Sequence, residues 1–236
     1  PPNPSVADVI AESLHEASNI TSDKWAGTTF EASVLSMRNL SEKLRSRPDR
    51  QIIGDTQLSW LESTLKGSVQ NHTSWRLVAQ PLVVHEKMPP DFEAAIAQAS
   101  PEDRDVWQAA LTAAIKAESQ GVKPGATEAL VSVALGRYGI VDFFDGWMGH
   151  VAERERFAKT LQVGGAASTV VYGGDSHNAW VGKIRSSGQM VANEFDGMSV
   201  SSPGYVRVRG APPSLDAAAW RVSNPDLVWT DQFSRG

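Results

Sequence analysis

Apolar residues recur at helical spacing in several parts of the chain. The clearest pattern lies in residues 55–66, where leucines form a stripe with Trp60 beside it and Asp55 is a suitable N-cap. The same spacing predicts helices over residues 5–17, 102–119, 126–135 and 149–162. Residues 89–139 are rich in alanine and interrupted by prolines, and we interpret them as a helical insertion in a larger fold.

Compact runs of β-branched and aromatic residues predict the strands. Residues 169–172 give the strongest pattern, because they are β-branched and two glycines follow them at once. Strands are also predicted at residues 75–84, 191–195 and 198–201. The tail from residue 210 onward reads as rich in loops. Strands interleaved with helices indicate an α/β layered fold.

Composition narrows the possible functions only slightly. The chain has 236 residues, a net charge of −5 and no cysteine, so disulfides and thiolate metal ligands within the chain are excluded. Its acidic balance gives no sign of a general attraction to nucleic acid or to an anionic membrane, and no apolar run approaches the length of a membrane helix. An anionic substrate would therefore need a local positive site, such as a metal ion.

One segment combines residues that suit metal chemistry. The strand at residues 169–172 leads through two glycines into Asp175 and His177. In layered α/β folds ligands bind beyond the carboxyl ends of strands, and an extended segment would place residues two apart on the same side. A carboxylate and an imidazole would suit two unlike metal ions. The alternative is a plain turn, with Asp175 capping a helix and His177 at the surface.

The segment G-G-D-S-H-N-A-W resembles the G-D-x-H segment of PhoD-like phosphatases, which belong to the calcineurin-like metallophosphoesterase superfamily. Further segments are similar to motifs of this family and occur in the same order. They are R-Q-I-I-G-D-T-Q-L-S-W-L-E-S-T-L (50–65), S-W-R-L-V-A-Q-P (74–81), D-G-W-M-G-H-V-A-E-R (145–154), N-E-F (193–195), S-S-P-G (201–204) and N-P-D-L-V-W-T-D-Q-F-S-R-G (224–236).

The resemblance implies part of an αββα metallophosphoesterase sandwich that hydrolyses phosphate monoesters or diesters. Asp175 would bind a divalent metal, calcium in the family's best-known form, and His177 the neighbouring iron. This dinuclear centre would activate the water that attacks phosphorus. Asn178 could orient His177 or a phosphate oxygen, or simply shape a turn. Arg154 could reach substrate or a carboxylate near the metal, or form a surface ion pair, and Glu194 could be a buried carboxylate behind the ligands.

The resemblance also divides the chain. Residues 50–88 and 140–209 would form the metallophosphoesterase core, interrupted by the helical insertion. Residues 1–49 form a divergent N-terminal segment and residues 210–236 a C-terminal extension. The family's other metal ligands, which lie well upstream, have no convincing match in residues 1–49, and His15 and His85 read as ordinary polar positions.

Two interpretations of the missing ligands stay open. A second polypeptide or a missing N-terminal segment could complete an enzyme, or the chain could be a catalytically inactive structural or binding subunit of a larger complex. The family resemblance suggests an extracellular or periplasmic location. A phosphate ester is the expected substrate of the enzyme.

Overall fold

One mixed β-sheet organises the fold. A computed structural model of the protein describes residues 24–119, 128–141, 143–202, 204 and 210–234. The strands are β1 (Arg76–Ala79), β2 (Thr169–Gly173), β3 (Ala179–Ser186), β4 (Gln189–Asp196) and β5 (Leu227–Asp231). Their order across the sheet is β1-β2-β4-β3-β5; β1, β2 and β4 are parallel, and β3 is antiparallel to both β4 and β5. The α/β fold class is confirmed.

Two helices cover one face of this sheet. They are α2 (Gly54–Gln70) and α6 (Val151–Gln162), and their apolar stripes share a core with the inward side chains of β2, β3 and β4. The N-terminus of α2 is capped from α6, because the buried Glu153 carboxylate accepts the N–H groups of Ile53 and Gly54 at 3.3 and 2.6 Å. The prediction of Asp55 as the N-cap is therefore wrong. The helix begins at Gly54, so Asp55 lies within its first turn.

A second core is built from helices. The remaining helices are α1 (Thr29–Arg45), α3 (Phe92–Gln98), α4 (Pro101–Ser119), α5 (Glu128–Tyr138) and α7 (Pro213–Ser223). All of them contribute buried residues to one apolar cluster that includes Trp25, Phe92 and Leu215. None of the helices in the described ranges is long and apolar enough to span a membrane.

On the other face of the sheet, the described residues leave a row of apolar side chains exposed. Tyr172, Phe195, Val181 and Trp229 lie in one row across four strands, as the strand register shows. Tyr172, Phe195 and Trp229 are 46%, 42% and 49% exposed, and Leu77 on β1 is 66% exposed. An exposed apolar surface of this kind marks a binding surface more often than a free one.

Most predicted elements are confirmed, with four exceptions. The strand at 75–84 is only four residues long, residues 198–201 are not a strand, and the tail contains α7 and β5. β3 was not predicted, although the turn that joins it to β4, with φ of 49° and 80° at Ser187 and Gly188, fits a two-residue hairpin connection. The helix at 5–17 lies outside the described residues.

Candidate active site

The candidate site lies where two parallel strands end. β2 ends at Gly173 and β4 at Asp196, and these residues are paired in the sheet. A Cβ at Gly173 would overlap Asp196 Oδ1 and would lie 2.8 Å from the Leu82 carbonyl oxygen. A glycine is therefore needed where the chain leaves β2, and it brings the turn at 174–178 close to the segment that follows β1.

Asp175 and His177 lie in this turn. Both have left-handed backbone, with φ of 65° and 60°, and both are exposed. The extended segment that the sequence predicts here is therefore wrong, because the chain bends at both residues. They nevertheless line the same cavity, so the structure does bring them together. Their role as metal ligands stays a prediction.

The cavity beside the turn has a volume of about 320 Å³, within the range of small-molecule sites. Its apolar wall includes Leu82, Val83, Val141, Phe143, Trp147, Met148 and Trp220. Asp175, Ser176, His177 and Lys87 give it a polar side. Lys87 Nζ lies 5.2 and 5.4 Å from the ring centres of Trp180 and Trp220. The cavity therefore combines a large apolar surface with one ammonium group.

The other predicted site residues are buried beneath or beside the turn. Asn178 is buried, and its Nδ2 donates to the Gln232 side chain and, at 3.4 Å, to the Gln232 carbonyl oxygen. It thus ties the turn to the segment after β5. The Arg154 Nε donates to the Val84 carbonyl oxygen at 2.6 Å, and burial lowers the pKa of this guanidinium. Arg154 therefore helps to hold the loop after β1 in place.

Glu194 is fully buried and holds the same loop. Its Oε1 accepts the N–H of Val84 at 2.7 Å, and its Oε2 accepts the N–H of His85 at 2.5 Å. His85 Nδ1 lies 2.7 Å from Oε2 as well. Charge-assisted hydrogen bonds of this kind are the strong ones. Glu194 therefore joins β4 to the chain that leads from β1 to the cavity.

His85, Glu194 and Asp196 form a compact buried group that the sequence analysis missed. One potential ligand atom from each residue lies within 4.8 Å of the others, and the side chains have no exposed surface. His85 read as an ordinary polar position, whereas the structure buries it completely. The alternation in N-E-F-D was an available signal, since Glu194 and Asp196 are two apart on a strand and share a face.

The Asp196 carboxyl favours its protonated form. Burial raises the pKa of Asp196 to about 9, the negative charge of Glu194 adds to this rise, and Lys87 opposes it. Two carboxylates so close together in a buried place cannot both be charged without a cation. The buried carboxylates Glu194 and Asp196 therefore repel each other beneath the turn.

Comparison with known proteins gives one family. The family model described as PhoD-like phosphatase matches residues 15–236. Among solved structures, one titled "Structure of PhoD" is similar, with 17% sequence identity and a TM-score of 0.48. The match covers 81% of this chain and 28% of that chain, so the chain spans less than a third of the length of that protein. No curated protein is significantly similar.

Proposed function

The chain belongs to the PhoD-like phosphatase family, and from this premise we propose that it contributes the cavity and two metal ligands to a metal-dependent phosphoesterase. Asp175 and His177 would be those ligands, to calcium and iron respectively. The observation that carries the proposal is their placement together on one cavity wall at the carboxyl edge of the sheet. Carboxylate and imidazole are the ligand types that suit these metals.

The donor set fits such a centre in type but not in number. Calcium alone takes six to eight oxygen ligands, and iron sites take several donors as well. In the described residues the cavity offers one carboxylate and one imidazole. We propose that a second polypeptide or a further N-terminal segment supplies the remaining ligands. The exposed apolar face of the sheet, with Tyr172, Phe195 and Trp229, supports this because it offers that partner a surface to bury.

The chain's own residues have separate tasks in this proposal. Asp175 and His177 hold the metals, which when bound would activate water and offset the charge of the phosphate. The apolar wall around Trp147 and Trp220 receives the organic group of the ester and excludes water from it. The Lys87 ammonium, on the polar side of the cavity, adds positive charge for an anionic substrate. Either a monoester or a diester would satisfy these contacts.

The test uses the chain together with a segment that carries the missing ligands. We expect the chain alone to be inactive on a p-nitrophenyl phosphate ester and the combination to be active. Asp175→Ala or His177→Ala should lower turnover by about 100-fold or more, since losing a residue that merely supports a metal ligand already costs about 10- to 100-fold. His72→Ala is a matched control, because His72 is also exposed and has a φ of 55°. Full activity of either ligand variant would overturn the assignment.

A second candidate function follows from the exposed face of the sheet. An inactive subunit would use the row of Tyr172, Phe195 and Trp229 to bind a permanent partner, with an interface above roughly 2,000 Å². In that case Asp175 and His177 have only a structural role in the turn. A native complex that contains the chain but hydrolyses no phosphate ester would favour this function over the enzyme.

A further inference from the structure

His85, Glu194 and Asp196 lie on the covered face of the sheet, below the turn that carries Asp175 and His177. β4 supplies both carboxylates, and the segment after β1 supplies the imidazole. His85 packs against Gly182 of β3, where an added Cβ would lie 2.5 Å from the ring. The group is therefore fixed by three segments of the chain. Neither Asp175 nor His177 is one of its members.

The distances within the group suit a shared cation. His85 Nδ1 faces both carboxylates, at 2.7 Å from Glu194 Oε2 and 3.7 Å from Asp196 Oδ2. Atoms that bind one first-row metal at about 2.1 Å are separated from each other by roughly 3.0–3.4 Å, and the two distances lie on either side of that range. Binding through Nδ1 leaves the ring proton on Nε2.

Unsatisfied polar atoms supply a second, independent observation. Both carboxylate oxygens of Asp196 are buried and have no hydrogen-bond partner in the part of the chain that is described. Asp196 as a whole is only 5% exposed. Buried polar atoms of this kind nearly always have a partner, and an ion or an ordered water is the usual one where the protein provides none.

The charges around the group also favour a cation. Glu194 accepts the N–H groups of Val84 and His85, which holds its carboxylate in place beside Asp196. Two cations of the chain lie near the group: Lys87, which lies over the rings of Trp180 and Trp220, and Arg154, which interacts with Glu194. A divalent ion held between these side chains would offset the charge of both carboxylates at once.

We propose that His85, Glu194 and Asp196 bind a divalent transition-metal ion, at a site separate from the one proposed for Asp175 and His177. One imidazole nitrogen and two carboxylate oxygens favour zinc, iron or manganese over calcium and magnesium. The ion would lock the end of β4 to the loop after β1 and so stiffen the floor of the cavity. The site does not depend on the proposed phosphoesterase activity.

The experiment starts from the chain with Asp175→Ala and His177→Ala, which removes the donors of the turn. Equilibrium dialysis against Zn²⁺ should show one bound equivalent in this background. Adding Asp196→Asn or His85→Gln should weaken the zinc affinity by about 100-fold or more. Asp216→Asn is the matched control, since Asp216 is equally buried but lies outside the group, and it should leave zinc binding unchanged.

Thermal unfolding of the chain with Asp175→Ala and His177→Ala tests zinc binding without a further variant. An ion that binds only the folded state must raise the melting temperature as its concentration increases. The absence of bound zinc, the absence of a zinc-dependent rise in melting temperature, or zinc binding that survives Asp196→Asn would each overturn the proposal. If the wild-type chain binds zinc and the chain with Asp175→Ala and His177→Ala does not, the ion lies at Asp175 and His177 instead.

Discussion

Asp175 and His177 hold a backbone conformation that costs an L-residue roughly 1–2 kcal/mol, with φ of 65° and 60°. Such strain is tolerated at functional sites, where the side chain has a task that glycine could not perform. The D-x-H pattern with two preceding glycines was enough to single out both residues from the sequence. Their left-handed backbone was not visible there, because it depends on where the chain must turn to join β2 to β3.

The strain at His177 can be measured directly. We expect the His177→Gly protein to exceed the His177→Ala protein in free energy of unfolding by about 1 kcal/mol, because glycine alone relieves the left-handed backbone. Urea unfolding of the two proteins gives the comparison. At Ser63, which is exposed in the middle of α2, the order should reverse by about the same amount, since glycine disfavours a helix. Equal stability of the two His177 variants would contradict the backbone described here.

Gly173 offers a test of the close approach beneath the turn. Gly173→Ala should lower the free energy of unfolding by about 1–3 kcal/mol, because its Cβ would meet Asp196 and the Leu82 carbonyl oxygen. The neighbouring Gly174→Ala should change it by less than about 0.5 kcal/mol, since the nearest atom lies 3.9 Å away. Similar melting temperatures for both variants would show that β2 and β4 do not end as described.

Asp196 links stability to pH when no metal is present. Its pKa is raised to about 9 in the fold, whereas it is about 4 in the unfolded chain. The folded state therefore holds the extra proton, so this contribution to stability is complete below about pH 4 and is lost as the pH rises towards about 9. With a chelator present, Asp196→Asn should stabilise the protein more at about pH 8 than at about pH 5. An equal effect at both pH values would contradict the burial of a protonated Asp196.

At the scale of elements, the capping of α2 shows what periodicity cannot reveal. The leucine stripe of α2 predicted the helix correctly, but Asp55 was the nearest candidate cap only in sequence. The carboxylate that accepts its first N–H groups comes from Glu153, about a hundred residues later and buried. Likewise, the strand predicted at 198–201 and the missed β3 are decided by pairing partners, which lie outside any short window of sequence.

Glu153 and Asp55 therefore make a matched pair of substitutions. Glu153→Ala should lower the free energy of unfolding by about 3 kcal/mol, because it leaves buried N–H groups at the start of α2 without an acceptor. Asp55→Ala removes only an exposed ion pair with Arg156 and should cost less than about 1 kcal/mol. Urea unfolding of both variants checks this. A larger loss of stability in Asp55→Ala than in Glu153→Ala would show that Asp55 caps α2, as the sequence suggested.

At the scale of the whole molecule, the described residues cover the sheet on one face only. Helices α2 and α6 pack against the inner face, while Leu77, Tyr172, Phe195 and Trp229 are exposed on the other. The family and the α/β class were predictable because several motifs occur in the family's order along the chain. The exposed row could not be predicted, since only the strand register shows that Tyr172, Phe195 and Trp229 lie side by side.

The central claim is that Asp175 and His177 hold metal in a phosphoesterase site that other residues complete. The measurement that tests it most directly is the metal content of the native assembly, purified with the wild-type chain, with His177→Ala and with the His72→Ala control. The account predicts stoichiometric iron or calcium that is lost in the His177 variant and retained in the control. A large assembly that is free of both metals, or one whose iron and calcium survive His177→Ala, would contradict it.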